Sequence, residues 1–188
     1  MSCPLGFGKE HVPIEAPGPS LSTQRTPSKI PTVSGELWEY PSPHQFHAAT
    51  LQKGHSIDGS DIPMIVDIHN AVNDEAWRRI QRFEERVRPE CDLNSLKLIR
   101  FVGRPGSRSP KSLVMESLFG WTAPFDRHDW LVQRSERCSS TSTRYIVDFY
   151  DGKPDPNRPG VAVFIDARPA LDSWEGWVDR FKGWWVGG

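Results

Sequence analysis

The stretch IVDIHNAVNDEAWRRIQRFEERV, Ile65 to Val87, decides how the rest of the chain is read. It opens on an apolar segment (Met64, Ile65, Val66, Ile68) that runs into His69-Asn70. From there Trp77, Ile80, Phe83, Glu84 and Val87 recur at helical spacing. Asn73 has the chemistry of an N-cap, and Asp74 and Glu75 place negative charge in a first turn. The pattern therefore predicts a helix over 73–87, with His69 just upstream of its N-terminus. The positive end of the helix dipole disfavours imidazolium there, and a neutral imidazole can offer a lone pair to a metal. A histidine that only packs beside a helix start fits the spacing equally well, because one histidine without a partner does not define a metal site.

Outward from this stretch, the chain has 188 residues, a formal net charge of −1 and 37% hydrophobic residues, which suits one globular domain carrying a tail. No basic excess points to nucleic acid. No apolar run approaches the ~20 residues of a membrane span. Cys3, Cys91 and Cys138 are too few and too far apart to read as a disulfide framework or a zinc pattern, and the chain has no C-x-x-C-H. Lys9 is the only Lys or Arg before Arg25, so the first residues make a poor matrix-targeting peptide, and they carry no hydrophobic signal.

Residues 1–36 are rich in Pro, Gly, Ser and Thr without apolar period and read as a disordered tail, leaving 37–188 as the folded domain. Within the tail, Cys3-Pro4 can offer a thiolate to heme iron, or can simply be a free thiol. Ser42-Pro43 looks like the N-cap and first residue of a helix that Lys53-Gly54 ends. His44 and His47 lie on that helix and His55 follows it, with no third ligand nearby, so a surface position is expected for them. Beyond the central helix, strands are expected at 97–104, 112–119, 129–134, 143–150 and 161–167, the fourth having the clearest alternation. Short turns between them favour an antiparallel sheet. A last helix opens at Pro169, with Leu171, Trp174, Trp177, Phe181, Trp184 and Trp185 on a broad apolar face and Asp172, Glu175, Asp179 and Lys182 opposite. Eight tryptophans, four of them in the last fifteen residues, exceed what covering a small sheet needs; an aromatic ligand, a partner helix or a membrane interface would use the surplus. The fold class is α+β: a mainly antiparallel sheet of four to five strands packed with several helices.

These motifs together resemble a known family, the mitochondrial holocytochrome c synthases or cytochrome c heme lyases. The resemblance rests on Tyr40-Pro41-Ser42, Lys53-Gly54, Ile68-His69-Asn70 with Asn73 and Ala76-Trp77, Glu90-Cys91, and Arg100-Phe101 with Gly103. It continues through Ser109-Pro110, the run Pro124 to Trp130 (PFDRHDW), Arg144-Tyr145, and the run Arg168 to Ser173 (RPALDS). The blocks fall in family order over residues 38–185. Cys3-Pro4 is similar to the family's Cys-Pro heme motif. The chain departs from the family where His55 replaces a Trp after Lys-Gly, where Asp74 replaces a Glu, and in a longer 135–143 segment.

The resemblance implies an enzyme of the mitochondrial intermembrane space, attached peripherally to the inner membrane. It would join heme b to apocytochrome c through thioethers to the substrate's C-x-x-C-H cysteines. It implies that His69 is the axial ligand of the heme iron. It further implies heme contacts from Asn70, Asn73, Asp74, Trp77, Arg127, His128, Trp130, Tyr145 and Cys3, with His69 and His128 catalytic. By alternation Asp126, His128 and Trp130 share one face of a strand and Arg127 and Asp129 the other. Arg127 or His128 would hold a propionate, or His128 would handle a proton, or the group is an ion-paired strand end. The alternatives kept open are a heme-binding chaperone that joins nothing, and the same ligation acting on cytochrome c1.

Overall fold

A computed structural model describes residues 20–104, 106–134, 138, 142–152 and 162–186. Cys3 and the first part of the expected tail lie outside these residues. Strands β1 (Pro27–Pro31) and β2 (Leu37–Glu39) form a small antiparallel ribbon. Helices α1 (Pro43–Gln52) and α2 (Ile62–Val87) follow, then β3 (Lys97–Gly103), α3 (Pro110–Phe119), β4 (Asp126–Gln133), β5 (Ser142–Asp151), β6 (Val163–Pro169) and α4 (Trp174–Val186). The class is α+β, with β3-β4-β5-β6 as a four-stranded antiparallel meander.

Side-chain parity fixes what each face of that sheet meets. Phe101 pairs with Trp130 across β3 and β4, and Trp130 with Tyr145 across β4 and β5, so large rings stand in a row on one face. Trp77, Ile80, Phe83 and Val87 of α2 pack on that row, together with Val132, Val147, Phe149 and Ile165. The opposite face carries Arg127, Asp129, Asp148 and Arg168, which are tied in ion pairs rather than apolar packing.

Four expectations change. The central helix begins at Ile62, not at Asn73, and its 26 residues span ~39 Å. Its first turns are held by Phe46 of α1, which forms a second small core with Ile62 and Val66. Asn73 is buried mid-helix instead of capping. The segment 112–119, expected as a strand, is helix α3. Ser109 accepts a hydrogen bond from the Ser112 N–H at 3.1 Å, Pro110 stands at the helix start, and Gly120 ends it with φ +65°. Residues 20–36 are ordered: Ile30 of β1 is 1% exposed in the main core, and Thr32 bridges to Leu98. Cys91 and Cys138 form a disulfide across 47 residues, which their spacing alone did not suggest.

The last helix begins at Trp174, because Pro169 completes β6. Its polarity is the reverse of the usual arrangement. Gly176, Asp179 and Gly183 face inward, and Trp174, Trp177, Phe181, Trp184 and Trp185 face out. Asp179, 0% exposed, accepts from Arg134 at 2.7 Å and from Arg88 at 2.9 Å. Arg134 also binds Glu84 of α2, which accepts the Tyr145 hydroxyl hydrogen bond. This buried network joins α2, the end of β4, β5 and α4.

Candidate functional site

His69 sits on the second turn of α2, where its neighbours are Ile65 one turn back and Phe46 from α1. The Ile65 carbonyl can only accept, so the 2.8 Å contact to Nδ1 is a hydrogen bond that Nδ1–H donates. In the neutral ring this leaves the Nε2 lone pair for a ligand. Phe46 meets the imidazole edge-on at 5.0 Å and fixes its plane. Burial holds His69 below the ordinary imidazole range, against the pull of the Ile65 carbonyl; nearby His128 adds to the depression and Asp126 opposes it. The imidazole is thus neutral through burial within a helix, not through proximity to a helix N-terminus.

His69 lines a cavity of about 270 Å³ between α2 and the open end of the sheet. Ile68, Val72, Phe125, Phe149 and Val163 give it apolar walls, and Asn73, Asp126, His128 and Asp151 are its polar lining. His128 is 2% exposed. It stacks on Phe101 at 5.7 Å and meets the edge of Phe149 at 5.0 Å, so its ring cannot turn freely. Its Nε2 lies 3.2 Å from Asp126 Oδ2, while Asp126 Oδ1 accepts from the Arg127 N–H at 2.8 Å. Asn73 is 6% exposed and its side-chain oxygen has no hydrogen-bond partner among the described residues. A second hollow of about 210 Å³ continues along α2 and β6 past Ala71, Glu75 and Ile165, sharing Ile68, Val72 and Val163 with the cavity.

Of the residues expected to touch heme, the structure brings His69, Asn73 and His128 to this cavity. Trp77 and Trp130 stack on each other in the core at 6.3 Å. Tyr145 is bonded to Glu84 there, and burial pushes its hydroxyl well above the ordinary range. Asp74 accepts from the Tyr40 hydroxyl at 2.6 Å. Arg127 points to the opposite face, donating to Asp129 at 3.0 Å beside Arg104 and Arg144. Asn70 is half-buried on α2 outside the lining. Phe125, Phe149 and Val163 were not singled out for the site. Phe149 was legible in principle, since strand parity puts it on the same face as Tyr145 and Val147. His47, expected at the surface, is buried on α1, and no group of three His, Cys, Asp or Glu that could hold a metal ion occurs among the described residues.

The donor set fits a heme substrate. One imidazole nitrogen, Nε2 of His69, is available, and the walls are apolar and aromatic. Two carboxylates in the lining would repel the propionates and turn them toward solvent.

The sequence profile of the cytochrome c/c1 heme lyase family matches residues 14–184. A relative named holocytochrome c-type synthase from Homo sapiens is 38% identical over 184 residues, 92% of this chain and 66% of its own length. A relative named holocytochrome-c synthase from Saccharomyces cerevisiae is 37% identical over 201 residues, 94% of this chain and 73% of its own. A relative named putative holocytochrome-c synthase from Schizosaccharomyces pombe is 39% identical over 173 residues, 87% of this chain and 44% of its own length. No solved structure matches the chain. With the profile covering most of its length and relatives this similar along it, the chain belongs to the cytochrome c/c1 heme lyase family.

Proposed function

We propose that this protein attaches heme covalently to an apocytochrome of the c or c1 type. The observation that carries the reading is His69: a neutral imidazole, oriented by Ile65 and Phe46, on the wall of a largely apolar cavity. Nε2 of His69 would bind the iron of heme b on one side. The histidine of the substrate's C-x-x-C-H would take the other. Ligation from both sides holds the vinyl groups against the substrate thiols, and such positioning lowers a barrier by up to ~7–11 kcal/mol in favourable cases.

Each thiol then adds across one vinyl group. A carbon–sulfur bond forms, the carbon–carbon double bond becomes single, and the thiol hydrogen ends on the neighbouring vinyl carbon. No electron acceptor is consumed. His128, held by Asp126 and the two phenylalanines, would take up the thiol proton and return it to carbon. The unpartnered oxygen of Asn73 would accept from a substrate N–H or S–H. The hollow along α2 and β6 would give an extended segment of the substrate a route to the cavity.

The Cys91–Cys138 disulfide supports residence in an oxidising compartment such as the mitochondrial intermembrane space. The test is co-expression of the chain with apocytochrome c, with apocytochrome c1, and with forms lacking both C-x-x-C-H cysteines. Heme that survives acid–acetone extraction on the intact substrate and not on the cysteine-free one is the expected result. Heme bound to the enzyme with no covalent product on either cytochrome would instead make the protein a carrier.

A further inference from the structure

We propose that Ser107 is a phosphorylation site, its phosphate held by Arg127 and Arg104 on the face of the sheet turned away from the cavity. Ser107 is exposed in the loop between β3 and α3. Its N–H donates to the Arg104 carbonyl at 3.1 Å, closing a turn, and the Arg104 N–H donates to the Arg127 carbonyl at 2.7 Å. The turn is thereby tied to β4, and the Ser107 hydroxyl comes to 3.5 Å from Nη1 of Arg127. That is too long for a good N–H···O bond.

Charge identifies the group that fits this gap. Arg104, Arg127 and Arg144 converge on the single carboxylate of Asp129, at 2.7, 3.0 and 2.9 Å. Asp172, which meets Nε of Arg144 at 2.7 Å, is the only other carboxylate bonded to these three among the described residues. One positive charge is left over beside a buried aspartate, where solvent screens it poorly. Asp129 uses Nε and Nη2 of Arg127, so Nη1 is the nitrogen that faces Ser107. Arg104 reaches Asp129 through Nε with its side chain 53% exposed, leaving its outer N–H groups for a further acceptor. A phosphoserine carries about −1.5 to −2 charge and three strong acceptor oxygens. On Ser107 those oxygens would extend past the hydroxyl position and close the gap to charge-assisted bonds of about 2.7–2.9 Å.

The sequence around the serine has the charge pattern that a basic-directed kinase selects, with Arg104 three residues before it and Arg108 directly after. Ser109, which precedes Pro110, differs. It is 0% exposed, caps α3 and donates to Asp148 at 2.6 Å, so it is closed to a kinase. In the transfer, Oγ of Ser107 attacks the γ-phosphorus of a nucleoside triphosphate. An oxygen–phosphorus bond forms, the β–γ phosphoanhydride breaks, the nucleoside diphosphate leaves, and the hydroxyl proton goes to the kinase's base. The phosphate would then fasten the loop to β4 at Arg127, the residue between Asp126 and His128 of the cavity lining.

Incubation of the full chain, without heme, with a basic-directed serine kinase and magnesium ATP tests the acceptor. Peptide mass spectrometry should place phosphate on Ser107, and Ser107→Ala should take none in this loop. Phosphorus NMR tests the arginines, on the full chain with phosphoserine incorporated at position 107 by codon suppression, which needs no kinase. The second phosphate pKa, about 6 for an open phosphoserine, should fall by roughly one unit. Arg104→Gln, an exposed position that the fold tolerates, should bring it back toward that value. The phosphate should also raise Tm by about 2–4 °C, and by less in Arg104→Gln. Absence of phosphate on Ser107, whichever other serine takes it, overturns the inference. So does a second pKa equal to that of the urea-unfolded chain, or one that Arg104→Gln leaves unmoved.

Discussion

Replacing His69 with alanine separates ligation from folding, and the structure sets the size of each effect. The Ile65 carbonyl that accepts from Nδ1 also accepts the His69 backbone N–H of α2, so it is not left bare. What is lost is the edge-on contact with Phe46 and part of a half-buried ring. Contacts of that kind are worth about 1–2 kcal/mol. In a chain of this size that lowers Tm by about 2–8 °C. The loss at the iron should be complete, because the other imidazole lining the cavity among the described residues, His128, is held by Asp126 and two rings. Purified His69→Ala with ferrous heme and apocytochrome c should lose the six-coordinate low-spin absorption spectrum and, on co-expression, most acid–acetone-stable product. Imidazole added to His69→Gly should restore the low-spin spectrum by entering the space left by the ring. A six-coordinate low-spin spectrum retained in His69→Ala without added imidazole would refute the assignment.

Three further outcomes follow from the same geometry. His128→Gln should keep the low-spin spectrum and reduce the covalent product, since its effect lies on proton transfer and not on iron; a changed spectrum with normal yield would reverse the two histidines' roles. Asp179→Ala leaves Arg134 and Arg88 short of a buried carboxylate, and breaking such a pair destabilises by about 3–5 kcal/mol, measurable by urea unfolding. Because burial depresses His69 below its ordinary value of 6.5, the unfolded chain binds the extra proton in the window below 6.5. The stability His69 contributes is therefore full above 6.5 and falls as pH drops through that window; unfolding curves of wild type and His69→Ala on either side of 6.5 should show a smaller decline in the variant.

Local pattern alone carried a good part of this molecule. Alternation in Lys97–Gly103 and Ser142–Asp151 marks an edge strand and an inner strand of the meander, and Ser42-Pro43 marks the start of α1, because these signals depend on neighbours in sequence. His69 was also legible, through its place in the central stretch and through the family's blocks. Its reason was not: the expected helix start at Asn73 is mid-helix, and burial beside Phe46 and His128 keeps the ring neutral. The Ser109-Pro110 and Gly120 punctuation of α3 was present in the sequence, but the apolar run between them reads as strand until the cap is recognised. Alternation already sends Arg127 and His128 to opposite faces of β4, but which face carries the ion pairs and which meets α2 and the cavity is decided by the packing of the sheet. The rotation of α4 is the clearest case. Its sequence is amphipathic with aromatic and acidic faces, and the usual rule buries the aromatics. The buried face is decided by Asp179 meeting Arg88 and Arg134, 91 and 45 residues away, and by Gly183 fitting against Phe83. Contacts at such separation exist only once the chain has closed on itself, which is why the composition of α4 shows a surplus of tryptophan and the tertiary structure alone shows which way it points.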